Sequence, residues 1–254
     1  MPSPLKYCVT LLVISACSLP LAAEDKKPAE IKMASFAPVK DTAAQLHYFV
    51  EKIGKDLSDK DDFEESHHKR ISLDASTVAV LAATLGMHEE KNDLKQSASK
   101  IVELSTEVVY NAEEFDDAKE AYGNLTAALK AKPKGEELSW DEPVADLALL
   151  MQQVPIVNDG LRRGVNDKRR FKRNAEKTAA RAVTLAAIAH ASMMDTTYCG
   201  DEEDEKAWQE ICANMRDACA DVYKALMKKD QAKAKEGNAR VVETCDACHH
   251  RFRD

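Results

Sequence analysis

A chain whose apolar residues return every three or four positions must bury a stripe along each segment, and it does so by packing helix on helix. That spacing runs from Val39 almost to the C-terminus of this 254-residue chain. It stops once, at Pro133-Lys134-Gly135, and starts again at Trp140. Glycine and proline, at eight each, are too few to interrupt it often. The expected fold is all-α, and the break divides it.

The first run marks four helices. One carries Val39, Ala43, Leu46, Val50, Ile53 and Leu57 on one face. After a charged loop at Ser58–Ser66, a second covers His68–Met87. A third covers Asp93–Tyr110, and a fourth, Asp116–Lys132, stops before Pro133. The second run repeats the scheme. Val144, Leu147, Met151, Val154 and Leu161 predict a helix interrupted or kinked at Pro155. The next covers Lys168–Met193, and a loop at Thr196–Glu203 leads to a helix marked by Trp208, Ile211, Met215, Cys219, Val222 and Leu226. The last shows Val242, Cys245, His249 and Phe252 at helical steps.

The two runs read as copies. Asp116-Asp117-Ala118-Lys119 meets Asp230-Gln231-Ala232-Lys233, and Gly123-Asn124 meets Gly237-Asn238. Pro38-Val39 meets Pro143-Val144, and Leu81-Ala82-Ala83 meets Leu185-Ala186-Ala187, all in the same order. Two tandem four-helix bundles are predicted, at residues 36–132 and 140–254, with a linker at 133–139.

The N-terminus reads as an export signal over residues 1–23. Lys6 is its charged end, Tyr7 to Ala16 its apolar core, and Ala22-Ala23 its small residues for cleavage. The apolar run is too short to span a bilayer. Residues 24–35 follow as a polar, flexible leader, and the expected compartment is the periplasm. Ile14-Ser15-Ala16-Cys17 offers an alternative, a lipid anchor on Cys17. The net charge of −8 argues against nucleic acid as a partner.

The last helix ends in Cys245-Asp246-Ala247-Cys248-His249, the C-x-x-C-H pattern that attaches one c-type haem. Two thiols one helical turn apart can each form a thioether, and the next residue brings an imidazole to the iron as proximal ligand. Export fits, because haem c is attached outside the bacterial cytoplasm. Two other readings of the motif stay open: a disulfide between Cys245 and Cys248, or a zinc site using both with His249 or His250. Zinc would want a second ligand pair, and the chain has no other C-x-x-C and no H-x3-H.

C-x-x-C-H followed by Phe252 and Arg253 at the end of a helical chain resembles class II cytochromes c, the cytochrome c prime group. The resemblance covers about the last 115 residues, and the first half only through the duplication. It implies a four-helix bundle with haem on the last helix, and Arg253 beside the proximal face. It turns the first helix of that bundle towards the distal face, where Met151 is a candidate sixth ligand. A core methionine is the alternative role for Met151. A closed sixth position suits one-electron transfer with a redox partner protein; an open one suits binding of nitric oxide or carbon monoxide. A homodimer is compatible with either. In the first copy Leu46 matches Met151, and Ala131, Lys134 and Gly135 match the two cysteines and the histidine. That copy therefore has no covalent haem site, and Phe115, Tyr122, Leu125 and Leu129 offer bulk for the space.

The remaining candidates are weaker. Cys199 is a candidate partner for Cys212, whereas Cys212 and Cys219 lie too far apart on one helix to bridge. The basic block Arg162, Arg163, Lys168, Arg169, Arg170, Lys172 and Arg173 reads as a solvated turn or as a dock for an acidic redox partner. The acidic run from Asp201 to Glu205 should cap its helix. Nothing forces a catalytic reading, and no enzyme activity is expected.

Overall fold

The computed structural model describes residues 31–61, 63 and 65–253. The export signal, Cys17 and most of the leader lie outside them. The described chain forms eight α-helices: α1 (Val39–Asp56), α2 (Glu65–Gly86), α3 (Ala98–Tyr110), α4 (Phe115–Ala131), α5 (Leu147–Asn166), α6 (Lys168–Ser192), α7 (Glu202–Met227) and α8 (Gln231–Phe252). Two 3-10 turns, Met33–Ser35 and Lys95–Ser97, are added, and there is no strand among the described residues. The fold is an all-α helical bundle. No helix among the described residues is long and apolar enough to cross a membrane.

Boundaries differ from the sequence pattern where polar residues hide them. Asp201 starts α7 by accepting hydrogen bonds from the backbone N–H groups of Glu203 and Asp204, both at 3.0 Å. The helix thus begins before Trp208, its first large apolar residue. Trp140 and Val144 precede α5 rather than sit in it, and α5 continues through Pro155. The end of the leader is packed, with Met33 buried in the same core as Phe36 and Ala37. So is part of the linker. The Gly135 N–H donates to the Gln96 carbonyl at 2.8 Å, and a side chain at Gly135 would collide with Ser99.

α1 to α4 pack in sequence, as do α5 to α8. α2 and α6 are central: α2 faces α5 and α6, and α1 faces α6. Residues 73–85 of α2 and 182–192 of α6 are buried on every side. Ala, Ser and Thr are frequent there, which lets helices approach closely. One hydrophobic core runs through both sets, joining Leu46, Leu81 and Ile101 to Leu161, Leu185 and Val222. Polar bridges cross it too. Thr184 Oγ1 donates to Gln45 Oε1 at 3.0 Å, and the Tyr223 hydroxyl donates to Asp41 at 2.7 Å. From Lys32 onward the described chain is one compact unit.

Candidate functional site

α8 is held in register against α5 by two side chains. Gln231 Nε2 donates to the Val165 carbonyl at 2.8 Å, and Asn238 Nδ2 to Asn158 Oδ1 at 3.1 Å. Seven residues separate the tie points on each helix, so the two run antiparallel without slipping. Continued by another two turns, that register sets Cys245 level with Met151, and His249 level with Leu147. A cavity of about 550 Å³ lies there, lined by both helices. Its size falls within the roughly 300–1,000 Å³ of cofactor sites.

Cys245, Cys248 and His249 line this cavity from α8, and Leu147, Met151 and Val154 line it from α5. α7 contributes Trp208, Cys212 and Met215. Trp208 is buried, donates from Nε1 to the Ser192 carbonyl at 2.7 Å, and meets the Phe252 ring edge-on at 5.2 Å. Arg251 clips the end of α8 to the start of α7 through two bonds to Asp204 Oδ1, at 3.0 and 2.8 Å.

Both motif cysteines are half-buried free thiols. Burial pushes the Cys248 thiol up to about 11, with Cys245 and Cys199 adding to the effect, and burial also raises Cys245. His249 is exposed at the cavity's margin, and its imidazole has no partner among the described residues. Met151 is half-buried in the opposite wall. Arg253 is exposed, just past α8, and also borders the cavity. His250 is exposed. The residues present suit a flat apolar cofactor held through two thiols and one imidazole. Among the described residues no three His, Cys, Asp or Glu side chains converge as a metal cluster, so zinc would lack its ligand set.

Cys199, Cys212 and Cys219 are also free thiols. Cys212 has Cys248 and Cys199 for neighbours, and Cys219 has Cys245. Their seven-residue spacing puts both on the side of α7 that faces α8. The basic block is exposed where α5 passes into α6, beside the Gln231–Val165 tie. It lies about 20 Å along α8 from the motif. Sequence patterns singled out the motif and Met151 but not Leu147, Trp208 or Cys212 as cavity residues. Trp208 carried a signal, as one of only two tryptophans in the chain.

Comparison with protein-family models, curated proteins and solved structures found no match. The site therefore stands on its own residues.

Proposed function

We propose that this chain is an exported monohaem c-type cytochrome that carries single electrons. The supporting observation is that all three residues of the C-x-x-C-H motif line one apolar cavity with a methionine in its opposite wall. In this reading Cys245 and Cys248 hold the haem through thioether bonds, His249 is the proximal iron ligand and Met151 the distal one. Such a haem supplies an iron that alternates between ferric and ferrous states. The chain's own residues do the rest. Trp208, Leu147 and Phe252 exclude water, and Arg253 places a positive charge at the cavity's rim. The likeness to class II cytochromes, a duplicated bundle with a haemless first copy, export to the periplasm and a protein redox partner belong to the same proposal.

A second reading, binding of nitric oxide or carbon monoxide at an open iron, is favoured by the register. It sets buried Leu147, rather than Met151, level with His249.

The haem reading is tested by making the protein with haem-c maturation. Haem should survive acid–acetone extraction, and Cys245→Ala with Cys248→Ala should abolish covalent attachment. Complete extraction from the parent would overturn it. A visible spectrum then separates the two functions. A low-spin parent that turns high-spin in Met151→Leu indicates methionine ligation and electron transfer. A parent that is already high-spin indicates the open iron.

A further inference from the structure

We infer that Asp74, in the half of the chain without the motif, is a positioning residue for the distal wall of the cavity and acts through Gln153. Gln153 is 1 % exposed and lies on α5 between Met151 and Pro155, on the side away from the cavity. Its Nε2 donates to Asp74 Oδ1 at 2.9 Å. Asp74 lies on α2 and is itself 1 % exposed. Lys52 of α1 completes the group, with its ammonium 2.8 and 2.7 Å from the two carboxylate oxygens.

α5 needs an outside hold at this point. Pro155 has no N–H, so the Met151 carbonyl loses its partner in the helical ladder. The ladder is therefore interrupted at the residue that faces the motif. Ala148 N–H is capped by Asp146, and Asn158 is tied to α8. Between those points, among the described residues, Gln153 makes the one side-chain hydrogen bond from α5 to another helix. Its acceptor is a buried carboxylate, and such charge-assisted bonds are the stronger kind. The first set of helices thus fixes the height and rotation of Met151 and Leu147 without touching the cavity.

The spectroscopic half of the test rests on the haem reading; the other half does not. Gln153→Met nearly conserves volume and removes both donors. In the full-length chain it should speed amide hydrogen exchange in residues 148–154 on the order of tenfold while residues 208–220 stay close to the parent. In the ferrous haem protein it should change carbon monoxide association by about threefold or more, because the distal wall moves. Asp74→Asn keeps one acceptor oxygen but loses the charge, and should shift both measurements in the same direction by less than Gln153→Met does. Unchanged exchange in Gln153→Met, or an equal rise in α5, α6 and α7, overturns the inference. So does Asp74→Asn raising exchange in α6 or α7 without raising it in residues 148–154. A parent that takes up no haem sinks the proposed function, and exchange still decides the role of Asp74.

Discussion

α4 and α8 end the two sets of helices, and they end differently. α4 closes with Leu125 and Leu129 buried in the core and then turns out of helix at Lys132, which is left-handed, before Pro133. α8 continues to Phe252 and keeps two thiols and an imidazole around a void. Leu46, which matches Met151, is fully buried among apolar neighbours. One end of the pattern is filled with side chains and the other is left open. Packing to native density is the default for a bundle, so the open end is the one that calls for an occupant.

The same comparison shows that the halves are not free of each other. Leu81 in α2 and Leu185 in α6 occupy matching positions, and both are fully buried in the shared core. Truncating either to alanine should cost about 2–5 kcal/mol. Both variants should lower one common unfolding transition, followed by far-UV circular dichroism in urea. An early separate transition in Leu81→Ala, with the second half still folded, would mean that the two sets are independent bundles joined by a linker.

The two buried histidines that close the central helices sharpen the contrast. His88, after α2, is satisfied on both sides. Its Nδ1 accepts from the Glu90 N–H at 3.0 Å, which leaves the proton on Nε2 to donate to the Ala37 carbonyl at 3.1 Å. His190, near the end of α6, sits against Phe36 and Trp140, and its Nε2 has no partner among the described residues. Burial, reinforced by the Arg216 guanidinium beside it, pushes its pKa down from 6.5 to about 4. The unfolded chain therefore takes up a proton on this residue before the native chain does. Stability from neutral His190 is full above about pH 6.5 and is lost as pH falls towards about 4, by about 3 kcal/mol in all. His190→Gln should flatten that part of the stability–pH curve. An unchanged slope would mean that His190 titrates normally in the native state.

Much of this was legible in the sequence, and the limits have physical causes. Helical periodicity marked all eight helices, because most expose one polar face. The motif's spacing alone was enough to propose haem attachment. The shared core was harder to see. Residues 73–85 of α2 and 182–192 of α6 are small or apolar on nearly every side, so their pattern names no one face and gives no hint that the helices meet. The matching Leu-Ala-Ala blocks of α2 and α6 were visible as a repeat, but not as parts of helices that pack against each other. Periodicity also sets which side of a helix is buried without setting how far one helix slides along another. The level of Met151 and Leu147 relative to the motif depends on Gln231, Asn238, Gln153 and Asp74, which pair across long stretches of chain.

The smallest expected difference lies in how the helices start. α5, α6, α7 and α8 each begin at an aspartate whose side chain accepts a backbone N–H: Asp146, Asp167, Asp201 and Asp230. α1, α3 and α4 begin at Pro38, Ser97 and Glu114, and none of these makes a side-chain cap. A side-chain cap satisfies a first-turn N–H that the helix itself leaves unpaired, and so holds the start of the helix against fraying. Asp230 is the informative case because it starts the motif helix, accepting from the Lys233 N–H at 3.1 Å. Asp230→Ala should cost about 1 kcal/mol in urea denaturation. Glu114→Ala, at the start of α4, should stay within about 0.5 kcal/mol of the parent because no cap is lost. The haem spectrum of Asp230→Ala should be unchanged, since Gln231 and Asn238 still hold the register between α8 and α5. Equal costs for the two variants would mean that the aspartate caps do no more for α8 than Glu114 does for α4. An altered spectrum would mean that the first turn of α8 sets the height of the motif at its last.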